Sequence, residues 1–234
     1  MTLAYSVLRL GDSASFPQSH PLIDNATRKG EVVIVIGNRT EEALERLGDT
    51  SKYAALVIEL HGECLGVHTG EALGEEGSNR LGFARFRLGD DPASALIELV
   101  RQPATPQAAI DAARSVFVSA GFEVAVCRDV PGRIVDRLVR PYYNAALRRL
   151  DEGLASAADL DTTLKLGLGY PEGPIGLLER TGLHRHHDVT QALYEAYGDP
   201  AYAPARRAQV AKRRAAAAAQ AQAWAQRSRE EPRD

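Results

Sequence analysis

Residues 31–47 read EVVIVIGNRTEEALERL. The first six form a continuous apolar, β-branched run closed by Gly37, a pattern that predicts a strand buried on both faces of a parallel sheet. Thr40 to Leu47 then has helical spacing, so the stretch predicts a strand, a turn and a short helix. Outward from it, 54–60 (AALVIEL) predicts a second buried strand. Residues 81–88 and 95–101 predict two more with partial alternation, and 122–127 a last one. Pro106 opens QAAIDAARSVFVSAG, where Ala109, Ile110, Ala113, Val116 and Phe117 recur at helical spacing until Gly121 stops the helix. Residues 12–30 contain Pro17 and Pro21 and little periodicity, which predicts a mobile loop or a lid. The glycine-rich stretch 62–77 predicts a hairpin and surface turns, because its spacing fits no phosphate-binding loop.

Beyond about residue 130 the strand signals stop and helical spacing takes over. Residues 131–152 predict a long amphipathic helix whose apolar face includes Ile134, Leu138, Ala145 and Leu147, with a kink at Pro141. Ser156, with Asp159 three residues on, predicts the cap of a second helix that Gly167 and Gly169 end, and Pro171 to Pro174 resets the direction. Residues 205–234 are rich in alanine and glutamine and predict a helical tail with Trp224 as its large anchor. The order predicts an α/β chain: a small parallel-sheet domain at 1–130, a helical domain at 131–204 and the tail.

A net charge of −3 with scattered basic residues argues against nucleic acid and anionic membrane as partners. Cys64 and Cys127 lie far apart without CxxC spacing, so neither a disulfide framework nor a zinc site is expected. No run approaches about 18 consecutive apolar residues, and the expected compartment is the cytoplasm. His184, His186 and His187 cluster with Asp188, but neighbouring histidines on a helix point in different directions; capping of a helix start is expected over a metal site.

A strand followed by a turn and a helix is also where a dinucleotide would bind. A G-x-G-x-x-G turn beginning at Gly37 needs glycine at 39 and 42, so that backbone can approach a pyrophosphate, and this chain has Arg39 and Glu42 there. Glu41 and Glu42 add negative charge at the helix start where an anion would sit, so the residues themselves imply no cofactor.

Four stretches carry a resemblance: PGRIVDRL (131–138), PYYN (141–144), DEGLASAADLD (151–161) and KLGLGYPEGPIGLLERTGL (165–183). They resemble the C-terminal helical domain of the 3-hydroxyacyl-CoA dehydrogenases. The resemblance extends over roughly residues 31–204. It is similar to the second half of long members of phenylacetate and fatty-acid degradation, in which a degenerate Rossmann-like region precedes a repeated helical domain. It implies a small degenerate Rossmann-like parallel-sheet domain, then an all-α helical domain of the 6-phosphogluconate-dehydrogenase-like C-terminal type. It further implies affinity for acyl-CoA thioesters, a homodimer formed through the helical domain, an active dehydrogenase paralogue as a partner, and NAD as a cofactor by family alone.

Carried over residue by residue, the resemblance leaves Glu98, in Leu96–Val100, at the position of the glutamate that orients the family's catalytic histidine. The histidine's segment corresponds to 81–86 (LGFARF), without histidine, and the family's serine segment to 68–73, without serine. Asp136 stands where the family has an asparagine that polarises the substrate carbonyl, and a carboxylate there repels developing alkoxide charge. Glu98 and Asp136 are therefore the candidate catalytic residues. The alternatives are a solvated strand residue or a salt bridge to Arg137 for Glu98, and an exposed, ion-paired helix face at Asp136. Hydride transfer is expected to be impaired or absent, since the base that takes the hydroxyl proton is missing. The alternatives are a silent dimerising or acyl-CoA-binding partner, and a lyase or isomerase using Glu98 or Asp136 as base.

Overall fold

The computed structural model describes residues 3–230, which divide into two compact units, Met1–Val135 and Asp136–Asp234. Among the described residues of the first unit, the strands are β1 (Tyr5–Arg9), β2 (Val32–Ile36), β3 (Ala55–Glu59), β4 (Arg80–Ala84), β5 (Leu96–Arg101) and β6 (Glu123–Arg128). They form one sheet in the order β1-β2-β3-β4-β5-β6, parallel throughout except where β4 meets β5 antiparallel. The helices of this unit are α1 (Pro21–Asp24), α2 (Thr40–Leu47), α3 (Gly66–Thr69) and α4 (Gln107–Ser119).

The period-two geometry of β2 divides its apolar run between two cores. Val32, Ile34 and Ile36 join Phe83, Phe117 and Phe122 on the α4 face, while Val33 and Val35 join Leu56, Ile58 and Leu65 on the other. Both faces are covered, which explains why every residue of β2 and β3 is buried.

Two expectations are corrected here. Residues 12–30 are not a mobile loop: Ser13, Ser15, Phe16 and Leu22 are buried, and Phe16 packs edge-on against Phe122. An aromatic ring removed from water stabilises by about 2–3 kcal/mol, which is why this segment is pinned to the sheet. Residues 62–77 hold no hairpin; they form turns around the short helix α3.

In the second unit, α5 (Val135–Asp151) starts later than the sequence pattern implies and runs through Pro141. Proline cannot donate to the carbonyl four residues back. That carbonyl, Arg137 O, instead accepts a hydrogen bond from the Tyr202 hydroxyl at 3.3 Å. Ser156 caps α6 (Ala157–Leu168) by accepting from Asp159 N, and Gly169 closes it in the left-handed region at φ 71°. α7 (Pro174–Thr181), α8 (Leu183–Tyr197) and α9 (Arg206–Glu230) follow. Trp224 is 68% exposed, and α9 is held near its start by buried Ala205 and Ala208 and by the Arg207–Asp151 and Lys212–Asp188 pairs.

Candidate functional site

In open α/β sheets, ligands bind beyond the carboxyl ends of parallel strands, at the point where the strand order reverses. The sequential order of this sheet contains no reversal, and the turn at Gly37 after β2 is filled by the chain itself. Gly37 has φ 111°, and a Cβ placed there would lie 2.1 Å from Leu10 O. Glycine is thus required for close backbone approach, but the approaching backbone is the end of β1 rather than a ligand.

Glu59, the last residue of β3, completes the seal. Its side chain is wholly buried, and Oε2 accepts from Gly37 N at 2.7 Å while Oε1 accepts from Ser13 Oγ at 2.9 Å and Ser15 N at 2.7 Å. A buried carboxylate is tolerated only with such donors around it. Arg85, just past β4, donates to Ser15 O at 2.7 Å, Ala93 O at 2.9 Å and Ser94 O at 2.8 Å, and stacks over the rings of Phe16 and Phe122. Burial lowers the Arg85 pKa, and the nearby Glu59 charge works in the opposite direction. Gly37 N, in the turn where the first glycine of a dinucleotide motif stands, is therefore bonded to a carboxylate, and with Arg39 and Glu42 beyond it the turn does not fit a nicotinamide dinucleotide in the usual mode.

Sequence reading missed Glu59 and Arg85. The available signal was the charge itself: AALVIEL and LGFARF each carry an ionisable residue next to last in an apolar run, and a charge near the end of a buried strand needs partners.

Glu98 lies on β5 and is 3% exposed. Its Oε1 accepts from Ile134 N at 2.7 Å and Val135 N at 2.9 Å, and Oε2 lies 3.9 Å from Arg133 Nε. The carboxylate thus satisfies the first amides of α5, and its ionic partner is Arg133 in place of Arg137. Glu98→Gln is expected to cost about 2 kcal/mol, because the amide oxygen can still accept from both N–H groups but the charge at the helix start and opposite Arg133 is removed. Urea denaturation measures it; an unchanged midpoint would contradict the capping role.

Asp136 pairs with Arg140 at 2.7 Å, but Arg140 is buried, so this is not the exposed face expected. Arg140 Nη1 donates to His186 Nδ1 at 3.1 Å, His186 Nε2 donates to Asn144 Oδ1 at 3.0 Å, and Asn144 Nδ2 donates to Ala201 O and Tyr202 O, each at 3.1 Å. His186 therefore does not solvate a helix start; it is 2% exposed within α8. Burial, then the Arg140 and His187 charges, bring its pKa down to about 3. His187 instead pairs with Asp188 at 3.1 Å. No group of three or more potential metal ligands occurs among the described residues, and none of their helices is long and apolar enough to cross a membrane.

The family described as "3-hydroxyacyl-CoA dehydrogenase, C-terminal domain" matches residues 132–226. A 3-hydroxybutyryl-CoA dehydrogenase of Bradyrhizobium diazoefficiens is 35% identical over 113 residues, 48% of this chain and 39% of that protein. The mitochondrial hydroxyacyl-coenzyme A dehydrogenase of Sus scrofa is 41% identical over 106 residues, 45% of this chain and 32% of that protein. The chain thus spans less than half the length of these curated relatives. In fold it is similar to the (S)-3-hydroxybutyryl-CoA dehydrogenase PaaH1 of Ralstonia eutropha, with a TM-score of 0.63 and 24% identity over 77% of this chain and 64% of that one. The Asp136–Arg140–His186–Asn144 network lies within residues 132–226, the part of this chain that matches the 3-hydroxyacyl-CoA dehydrogenase C-terminal domain.

Proposed function

We propose that this protein serves acyl-CoA metabolism with impaired or absent nicotinamide-dependent hydride transfer. The observation that carries this reading is the Glu59 carboxylate on Gly37 N, with Leu10 O packed against the same glycine. Two further features support it. Arg85 falls in the segment where the family has its catalytic histidine, and it is committed to three carbonyls. Glu98, the counterpart of the family's orienting glutamate, is committed to the start of α5. General-base catalysis needs a group that can take a proton near neutral pH, and neither a permanently charged guanidinium nor a helix-capping carboxylate supplies it.

A second reading, a silent dimerising or acyl-CoA-binding partner of an active dehydrogenase, draws on the helical unit. Leu154, Leu166 and Leu168 are 66%, 83% and 64% exposed, and α6 buries no residue. Large apolar side chains left this exposed suit a protein partner, and a second copy of the chain meets that need. The cytoplasm is the proposed compartment.

The test is NADH oxidation by purified protein with acetoacetyl-CoA, beside an active dehydrogenase, together with sedimentation and acyl-CoA titration. The expected outcome is no turnover above buffer, a dimer, and saturable acyl-CoA binding. Turnover abolished by Glu98→Gln would overturn the first reading, and a monomer without acyl-CoA affinity would overturn the second.

A further inference from the structure

A cleft of about 540 Å³ lies beyond the carboxyl ends of β2 and β3, and every side chain lining it is polar. Its wall includes His61, Glu63 and His68, from the turn after β3 and from α3. His68 Nε2 lies 3.2 Å from Glu63 Oε1, and the His68 side chain is only 9% exposed. Glu63 is itself held, since His61 N donates to both of its oxygens at 3.2–3.3 Å. Burial works to raise the Glu63 pKa, but the hydrogen bonds from His68 and from the backbone outweigh it and bring the carboxyl down to about 2.

The backbone beneath the imidazole is fixed from two directions. Asp129 accepts from Leu65 N at 2.8 Å and Gly66 N at 2.7 Å, anchoring the start of α3. Arg80 Nη1 donates to His68 O at 3.1 Å, and its Nε and Nη2 both reach Thr50 Oγ1. On the same wall, His61 Nε2 is buried without a hydrogen-bond partner. An unsatisfied buried polar atom beside a cleft is what a bound ligand or water would complete.

We propose that Glu63 and His68 form an acid–base dyad that hydrolyses small, uncharged acyl esters or thioesters in this cleft. An ionised Glu63 orients the imidazole and stabilises its cation, so that His68 accepts a proton from water as the water oxygen bonds to the acyl carbon. The carbon–sulfur or carbon–oxygen bond then breaks, and the imidazolium returns the proton to the departing thiolate or alkoxide. The products are a carboxylic acid and a thiol or an alcohol. Asn38 spends its carbonyl on Asp12 N and keeps its amide as a donor, and no side chain caps the first turn of α2, so donors for an oxyanion line the same cleft. Among the described residues lining the cleft, Glu41, Glu42 and Glu63 stand beside one arginine, Arg39, which is paired with Glu42; Arg46, outside the lining, pairs with Glu42 as well. That balance disfavours phosphate-bearing ligands and sets the preference for an uncharged substrate.

The test uses the full chain with two neutral probes, S-acetyl-N-acetylcysteamine and p-nitrophenyl acetate, following release of thiol or of p-nitrophenolate. Wild type is expected to exceed free imidazole at equal concentration, with His68→Asn lowering the rate by about 10²-fold or more. Glu63→Gln should lower kcat with KM little changed, because the imidazolium formed in the reaction loses its counter-charge; a purely structural role would raise KM as well. His187→Asn, in the other unit, should retain the wild-type rate. Turnover of one probe alone assigns the thioester or the oxygen ester, and turnover of both supports a site that tolerates either. His68→Gln provides a second substitution of similar size should the first fail to fold. Wild type no faster than imidazole with either probe, or a folded His68 variant at the wild-type rate, would overturn the proposal.

Discussion

Glu59→Gln is expected to destabilise the sheet-bearing unit by about 3 kcal/mol, among the largest effects available from a change of one atom. The carboxylate receives Gly37 N on one oxygen, and Ser13 Oγ and Ser15 N on the other. An amide has one acceptor oxygen, so in either orientation its NH₂ group faces a buried N–H or O–H donor. The better orientation keeps both serine bonds and abandons Gly37 N. It also loses the charge-assisted character of all the bonds and the nearby countercharge of Arg85. Urea denaturation measures the loss. Proteolysis between Ser13 and His20 should accelerate in parallel, because these residues are held down by the same carboxylate and by burial of Phe16. A variant as stable as wild type, with the segment still protected, would mean that the seal rests on Phe16 and Arg85 alone.

Acid should unfold the helical unit earlier than its carboxylates explain. His186 sits neutral between Arg140 Nη1 and Asn144 Oδ1, and burial with the neighbouring positive charges lowers its pKa to about 3. In the unfolded chain a histidine titrates near 6.5. The folded pKa is the lower one, so the stability this group contributes is fully present above about pH 6.5 and is lost as pH falls from there toward about 3. Within that window the slope approaches about 1.4 kcal/mol per pH unit. His20, in the other unit, is also lowered, by burial and then by Arg85, so the decisive comparison is with His186→Gln. That variant should be less stable at neutral pH, with a clearly shallower slope between about pH 6.5 and 5, the remainder belonging to His20. An undiminished slope would place the titrating group elsewhere.

The sequence made the strands legible because buried parallel strands are written as unbroken apolar runs: 31–36 and 54–60 became β2 and β3 within a residue or two. β1 was illegible for the converse reason. YSVLR is short and only partly buried at the sheet edge, so it has neither a run nor a clean alternation. The segment after it read as mobile because prolines and polar residues dominate. Its order comes from long-range partners, Glu59 and Arg85 lying 44 and 70 residues from Ser15, which no local window contains. In the helical unit, Ser156, Gly169 and Pro174 marked helix ends correctly, since caps are local chemistry. The bonding of His186 and Arg140 was hidden, because helical spacing places a side chain on a face without naming what the face meets. The absence of the dinucleotide glycines was visible at Arg39 and Glu42, whereas the carboxylate occupying the vacated role was not.

The central claim, that the chain's own backbone and Glu59 fill the dinucleotide turn, is tested most directly by titrating the purified protein with NADH and following nicotinamide fluorescence and heat of binding. The expected result is no saturable binding tighter than about 1 mM, with wild type and Gly37→Ala alike in this respect. Saturable micromolar binding by wild type that Gly37→Ala abolishes would contradict it, and would place a pyrophosphate where Leu10 O and Glu59 now lie.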